Sequence, residues 1–331
     1  MKNFVKVLKA SKISQLCIRT DFWLEMSEAN IFLFMNALPS MPALKNLEIQ
    51  SSSRFHIDIV PPKAFLPLRQ AARLETLLLE DFQVTAAHAE FINSLAFVME
   101  SHTSLKHITL NNFFASDYTN SRPHVLDPLV WSLSTIPNLV HLELTGCGSS
   151  FLVGPAQPLV SPVALSRLLQ KNRLEVLCLE FLELNDDHLE AMAQQFASMD
   201  CRLHHVALNY HKMGPHGFRS LMKYMASNAS VKSLSLRALC EIGSEGFLQA
   251  MTMLQHNYTI ESLCVTATPA QQAELDLHLR LNGAGRSLLR NPQVTMEQWV
   301  HVLAKCNHDV DVTRHLLPAI PGLLSMNSGA A

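Results

Sequence analysis

Short apolar runs recur along the chain in the form Leu-x-x-Leu-x-Leu, with other aliphatic residues at some of the leucine positions. Consecutive runs start 28 to 35 residues apart. A period in this range predicts a stacked array of small units rather than a closed globule, because one unit cannot bury its apolar face alone. The nine runs begin at Ile13, Leu44, Leu74, Leu105, Leu139, Leu174, Leu203, Val231 and Ile260.

Between these runs the apolar residues fall at helical spacing, as at Phe91, Leu95 and Val98. Each unit is therefore predicted to be a short strand followed by a helix. The predicted fold class is α/β: a horseshoe-shaped leucine-rich repeat solenoid with parallel strands on the concave face and helices on the convex face.

The seventh unit carries the most complete signature: Leu203, Val206 and Leu208, followed by Met213, Gly217, Leu221 and Asn228. This pattern resembles the leucine-rich repeats of the ribonuclease-inhibitor type, which are intracellular and have repeats of about this length. That family usually places Asn or Cys three residues after the third leucine, and here only Cys147 conforms. The turns after the strands are therefore predicted to depart from the regular geometry, with Phe82 and Phe113 adjacent in two of them.

The chain divides into four predicted parts: an N-terminal capping helix at 1–12, nine repeats at 13–270, a C-terminal cap at 271–324 and a frayed tail at 325–331. Within the cap, alternating leucines from Leu275 to Leu281 predict a last strand, followed by a turn at 282–285. A capping box at Thr295 and Gln298 predicts a helix through Trp299. A second helix is predicted to end near Pro318.

The end of the chain also resembles a known group. The stretch from Leu277 to Arg286, with Trp299 to Ala304 and the Leu316-Leu317 pair, is similar to the tail of leucine-rich repeat proteins of unicellular algae. This resemblance implies a complete C-terminus. The other end begins as if inside a repeat helix, which suggests one piece of a longer protein.

Composition narrows the function classes. The formal net charge is −2 and the isoelectric point about 6.8, which argues against a basic groove for nucleic acid. No secretory signal is recognised, and the longest uncharged run contains prolines and glycines that disfavour a membrane helix. Seven cysteines without a C-x-x-C pair predict reduced thiols, in keeping with the expected cytoplasmic location. The protein is also expected to be a monomer.

The lysines of the first ten residues share one helical face: Lys2, Lys6 and Lys9. We interpret this face as the solvated side of the capping helix. A membrane-surface helix or a transit segment is the alternative interpretation.

Metal and cofactor sites are not expected. His204 and His205 point to opposite sides of a strand and cannot chelate one ion together, while His211 falls in the turn. No set of His, Cys and carboxylate residues has metal-like spacing. The chain is therefore expected not to be an enzyme.

Alternation along each strand fixes which side chains point outwards from the sheet. In the second to sixth units the outward positions hold four glutamates, whereas Arg19 and Arg237 stand towards the ends. We predict an acidic patch that attracts a partner with a basic surface. Its residues are Glu48, Glu80, Glu143 and Glu180.

Three units are enlarged between strand and helix, at 51–63, 112–123 and 145–162. All three segments follow a strand, so they are predicted to emerge on one rim of the solenoid. In repeat proteins such a rim is often the binding face. The middle segment carries residue types that are common in binding hot spots: Phe114, Tyr118 and Arg122.

The leading functional interpretation is a non-enzymatic scaffold that binds a protein through the strand face and this rim. The wider resemblance leaves two alternatives. One is a GTPase-activating protein of the leucine-rich repeat type, for which Arg122 is the one candidate catalytic residue. The other is the recognition part of a ubiquitin-ligase adaptor or immune-type receptor, which would need a further domain.

Overall fold

The nine predicted strands form one parallel sheet in which each strand pairs with the next along the chain. The computed structural model describes residues 1–19, 27–50, 61–82, 84, 88–114, 123–146, 158–170, 173–198, 200–237, 243–290, 294–306 and 309–319. The strands are β1 (Gln15–Arg19), β2 (Asn46–Gln50), β3 (Thr76–Glu80), β4 (His107–Phe114), β5 (His141–Gly146), β6 (Val176–Glu180), β7 (His205–Asn209), β8 (Ser233–Leu236) and β9 (Ser262–Val265).

Helices cover one side of this sheet, so the predicted α/β leucine-rich repeat solenoid is confirmed. A short 3-10 helix at Leu66–Gln70 stands before β3 in place of an α-helix. The α-helices are α1 (Lys2–Ala10), α2 (Glu28–Met35), α3 (Ala89–Glu100), α4 (Asp127–Leu133), α5 (Pro162–Gln170), α6 (Asp186–Phe196), α7 (Pro215–Met225), α8 (Gly243–His256), α9 (Pro269–Ala284), α10 (Met296–Lys305) and α11 (Val310–Leu316).

The leucine register determines how the strands stack. Leu47 pairs with Leu77, and Leu77 with Ile108, so each inward residue lies beside its equivalent in the next repeat. These three side chains are at most 1% exposed. Because every repeat presents the same inward positions, the core is continuous along the array rather than centred in one unit.

Several strands have a residue in the left-handed conformation directly after their end or, in β4, within the register shift. Asp81, Asn112, Phe181 and Tyr210 have φ between 47° and 65°, which is costly for side chains as large as Phe and Tyr. In this conformation the N–H of Tyr210 donates to the carbonyl of Arg237 at 2.6 Å, which extends the pairing beyond the strand. The rings of Phe181 and Tyr210 stack with centroids 4.4 Å apart.

Gly146, the last residue of β5, occupies the equivalent position. A Cβ atom there would lie 2.3 Å from the carbonyl oxygen of Phe181, closer than any side chain tolerates. The backbones of the fifth and sixth repeats therefore approach closely only because this residue has no side chain.

Aromatic side chains fill the turns of the third and fourth repeats. Phe82 and Phe113 lie with ring centroids 5.4 Å apart, as the repeat spacing predicted, and Phe91 packs against Phe113 at 6.2 Å. Phe114 was predicted to contact a partner, but it is 1% exposed and packs against Phe113. The reason is a register shift between Leu110 and Phe114, through which β4 carries both phenylalanines into the core.

Buried asparagines join the last repeats. Asn257 donates from Nδ2 to the carbonyls of Met225 and Asn228, and its Oδ1 accepts the N–H groups of Thr259 and Ile260. Asn228 makes the equivalent contacts one repeat earlier, and Asn282 donates to the carbonyls of Asn257 and Ile260 one repeat later. We call Asn228, Asn257 and Asn282 the asparagine ladder. It satisfies the backbone groups where each helix ends.

The predicted last strand at Leu275–Leu281 is wrong, because these residues belong to α9. Thr268 caps this helix in a capping box with Gln271, and Pro269 occupies its first turn. Gly285 ends it with φ of 107°. Helical geometry places Leu275 and Leu279 on the array and Leu281 on the cap.

The two cap helices agree with the sequence prediction. The capping box of Thr295 and Gln298 begins α10, and α11 ends at Leu316. Trp299, Val302 and Leu316 form an apolar cluster with Leu281 that is separate from the main core among the described residues. No helix in the described part of the chain is long and apolar enough to cross a bilayer.

Candidate functional site

The outward face of the strands from β2 to β7 is the candidate site, and we call it the strand face. Its positions hold no lysine or arginine, but they hold all four predicted glutamates, each of them half-buried. Arg19 in β1 and Arg237 after β8 are exposed at the two sides of this region. The strand face is therefore acidic at neutral pH. Its outward residues other than glutamate are mainly Asn, Thr, His and small side chains.

Asn111 organises the first half of the face. Its Nδ2 donates to Glu80 Oε1 at 2.8 Å, and its Oδ1 accepts the hydroxyl of Thr145 at 2.8 Å. Thr145 Oγ1 in turn accepts the N–H of Asn112 at 2.6 Å. Gln50 donates to the carboxylate of Glu48 two residues earlier on the same strand. These contacts fix the glutamate side chains in place, which lowers the entropy that they would lose on binding a partner.

Asn209 plays the same part in the second half. Its Nδ2 donates to Glu180 Oε1 at 2.5 Å. Its Oδ1 accepts the hydroxyl of Ser235 at 2.8 Å and the N–H of Arg237 at 3.0 Å. Asn209 is 7% exposed, so its polar atoms form hydrogen bonds within the protein and are not accessible to a partner.

Histidines border the glutamates between these two clusters. The rings of His107 and His141 lie 5.9 Å apart, and His141 Nε2 lies 3.9 Å from Glu143 Oε2. Burial lowers the pKa of His107, as do the nearby His141 and Lys106. Neutral His107 therefore leaves the charge of the glutamates uncompensated at pH 7.

The glutamates influence one another and the thiols between them. Burial raises the pKa of Glu80, and the negative charges of Asp81, Glu48 and Glu143 raise it further. Burial also raises the pKa of the Cys178 thiol to about 12, with Glu143 and Glu180 acting in the same direction. The charge contributions to both shifts come from carboxylates on the strand face and from Asp81, so these side chains lie close enough to influence one another.

We expect Cys178 to resist alkylation. With a pKa of about 12, only about one thiol in ten thousand is ionised at pH 8, and the thiolate is the reactive form. Cys264 occupies the same column of the sheet, and its Sγ accepts an N–H from Arg237 at 3.1 Å. Iodoacetamide labelling followed by mass spectrometry should modify Cys264 at least about tenfold faster.

The double variant E143Q/E180Q provides the control for this labelling experiment. Removing both negative charges should accelerate labelling of Cys178 and leave Cys264 unchanged, because Cys264 is bonded to Arg237. Equal labelling of the two cysteines in the unmodified protein would contradict the assigned electrostatics.

The structure brings together only part of the predicted site. Glu48, Glu80, Glu143 and Glu180 share the strand face, whereas Phe114 is in the core. Tyr118 and Arg122 lie outside the described residues, as do most residues of the three enlarged segments. The strands that precede these segments, β2, β4 and β5, are parallel neighbours or near neighbours, so they end at the same edge of the sheet.

Sequence reasoning missed the asparagines that position the glutamates. Asn111 and Asn209 occupy the same outward position in the fourth and seventh repeats, next to a glutamate on the preceding strand. The repeat alignment contained this adjacency, because it placed Glu80 beside Asn111 and Glu180 beside Asn209. Amide–carboxylate pairs across neighbouring strands were the signal.

No cluster of three or more His, Cys, Asp or Glu side chains suited to a metal ion occurs among the described residues. On the helix side, an open groove of about 590 Å³ lies between α5 and α6. It is lined by mixed polar and apolar residues, including Val163, Arg167 and Glu190.

Comparisons with known proteins add little to this description. No protein-family model matches the chain, and no curated protein matches it. Among solved structures, the leiomodin-1 actin-binding site 2 is similar, with 13% identity and a TM-score of 0.40. The similarity covers 51% of this chain and 95% of that one. At these values it supports no conclusion about function, which therefore rests on the geometry of the strand face.

Proposed function

We propose that this protein is a non-enzymatic interaction scaffold that binds a protein partner with a basic surface through the strand face. The observation that carries the proposal is the charge distribution. Glu48, Glu80, Glu143 and Glu180 lie on β2, β3, β5 and β6. These strands belong to a run of six, β2 to β7, whose outward positions contain no lysine or arginine. Negative side chains on one surface steer a positively charged partner and increase its association rate.

The surroundings of the glutamates support binding rather than catalysis. Asn111 and Asn209 hold Glu80 and Glu180 in fixed positions. The thiol of Cys178, near Glu143 and Glu180, stays protonated. A pre-positioned charged surface favours association with an equally rigid partner, because few side chains lose freedom on binding. The enlarged segments after β2, β4 and β5 extend the proposed interface along one edge of the sheet.

Charge reversal tests the proposal. A proximity-labelling screen in the source cell should recover proteins with basic surfaces, and the variant E143K/E180K should lose them. For a partner recovered in this way, the variant should bind at least about tenfold more slowly and depend less on salt. Stopped-flow association rates at several salt concentrations measure both effects.

Glu274 on α9 provides the matched control, because it is exposed and lies outside the strand face. The variant E274K changes net charge but should leave the association rate within about twofold of the unmodified protein. If E143K/E180K and E274K behave alike, the strand face is not the binding surface.

The proposal includes the finer points predicted from the sequence: repeats of the ribonuclease-inhibitor type, a cytoplasmic location and a monomeric state. The repeat length and the asparagine ladder support the first, since Asn228 lies at the offset that this repeat type uses. The free state of the described cysteines agrees with a reducing compartment.

A further inference from the structure

Among the described residues, no strand pairs with the outer edge of β1. On its inner side, the carbonyl of Ser14 accepts the N–H groups of Lys45 and Asn46 at 2.8 and 3.0 Å. Because backbone groups point to alternating sides along a strand, the N–H and C=O groups of Gln15, Cys17 and Arg19 face away from β2. No described strand pairs with that side. An open edge of this kind is a template for another strand.

The apolar layer behind this edge is also incompletely covered. Ile13 is 39% exposed and Leu16 is partly exposed, whereas their equivalents in the second repeat, Leu44 and Leu47, are 3% and 0% exposed. In a solenoid each apolar layer is covered by its neighbour. A strand added to β1 would cover Ile13 and Leu16 in the way that β1 covers the second repeat.

Charge identifies the kind of segment that fits. Residues 1–19 contain no Asp or Glu, and all of their basic side chains are exposed. These side chains are Lys2, Lys6, Lys9, Lys12 and Arg19. Two such ends would repel each other, which argues against pairing with the same end of a second copy.

A lipid surface fits less well than a strand. The side of α1 opposite its buried Val5 and Leu8 presents Lys6 and Val7 with polar and small neighbours. A helix that enters the bilayer interface needs a broader apolar face than this.

We propose that β1 accepts an additional strand from an acidic partner, an extended segment in which apolar residues alternate with Asp or Glu. The apolar residues would lie over Ile13 and Leu16, and the acidic ones beside Arg19 on the outward side of β1. The lysines of α1 lie in the helix layer behind the sheet and would add to the positive potential that attracts the acidic segment. This interface has the opposite charge to the strand face, so it would take a different partner. Backbone hydrogen bonds to β1 would provide the affinity. The alternation of apolar and acidic side chains in the partner segment would provide the specificity.

Fluorescein-labelled synthetic peptides test the proposal by anisotropy. The first is a short peptide of alternating valine and glutamate, and the second has the same composition with valines and glutamates in separate blocks. A third alternates valine and lysine. The full chain should bind the first peptide at least about tenfold more tightly than either of the others. Absence of binding to the first peptide, or equal binding of the first two, overturns the proposal.

The variant C17P examines the backbone edge directly. Proline at residue 17 removes an outward N–H while sparing the hydrogen bonds between β1 and β2, and edge strands tolerate proline. C17A keeps the N–H and is the matched control. We expect C17P to weaken peptide binding at least about tenfold and C17A to leave it unchanged. Unchanged binding to a folded C17P protein, verified by its thermal unfolding, overturns strand addition.

A second variant keeps the proposal testable if C17P does not fold. Replacing Lys2, Lys6, Lys9 and Lys12 with glutamine should weaken binding of the alternating valine–glutamate peptide and reduce its salt dependence. Vesicles of phosphatidylcholine with and without phosphatidylserine examine the lipid alternative. Recruitment to the anionic vesicles without peptide binding would overturn the proposal in favour of a membrane surface.

Discussion

The variant N257L should lower the free energy of unfolding by about 4 kcal/mol. Asn257 is 1% exposed and satisfies backbone groups of two neighbouring segments. Leucine has a similar volume but no polar atom, so the N–H groups of Thr259 and Ile260 would be left buried without their acceptor. Each orphaned group costs about 1 to 3 kcal/mol. Urea denaturation followed by circular dichroism measures the loss.

Asn138 offers a matched control for this substitution. It is exposed and makes one hydrogen bond, from Nδ2 to the carbonyl of Thr103 at 2.7 Å. Water replaces that partner when the side chain is lost, so N138L should cost less than about 1 kcal/mol. Similar losses for N257L and N138L would show that the asparagine ladder contributes little to stability.

Acid should destabilise the protein through His211, the second large effect that we expect. This side chain is 1% exposed, and its Nε2 donates to the carbonyl of Leu179 at 2.9 Å. Burial lowers the pKa of His211 to about 3, whereas the ordinary value is 6.5. Between these values the unfolded chain binds a proton that the folded protein excludes. Stability is therefore complete above pH 6.5 and falls as the pH is lowered towards 3.

The variant H211Q should remove this part of the acid sensitivity. From pH 6.5 to 4.5 the His211 contribution amounts to about 2.3 kcal/mol, and glutamine does not titrate in this range. The pKa values of His102 and His188 are also lowered by burial. We expect these two histidines to cause the loss of stability in acid that H211Q still shows.

The exposed His216 on α7 is the control for this pH series. Unfolding free energies at each pH, measured for the unmodified protein, H211Q and H216Q, separate the contributions. The explanation fails if H211Q loses as much stability on acidification as H216Q does.

The repeat period was sufficient to predict the array, because every inward position recurs in phase and every strand pairs with the next. It was insufficient for α9. The leucines from Leu275 to Leu281 alternate, and alternation predicts a strand when only one side is apolar. In the folded chain one side of α9 packs against the repeats and the other against the cap helices. Leucines on both sides of the helix are therefore buried. Sequence reasoning missed the capping box of Thr268 and Gln271, which is the local signal that indicates a helix start here.

The candidate site, like the fold, could be predicted from the sequence only in part. The outward positions of Glu143 and Glu180 follow from strand alternation, and the structure agrees. The burial of Phe114 does not follow, because it depends on a register shift inside β4 that only the packing of the third to fifth repeats determines. Glu183 illustrates the same limit: its side chain is completely buried after β6 and forms an ion pair with Lys212 at 3.0 Å.

The helix α9 belongs to two apolar clusters at once. Its Leu275 and Leu279 pack on the array, whereas Leu281 and Ala284 pack on α10 and α11. The cap helices can therefore open while the opposite side of α9 still protects β9. Loss of the cap would then be a separate unfolding step of lower free energy, and heat or proteases would release α10 and α11 while the repeats stay folded.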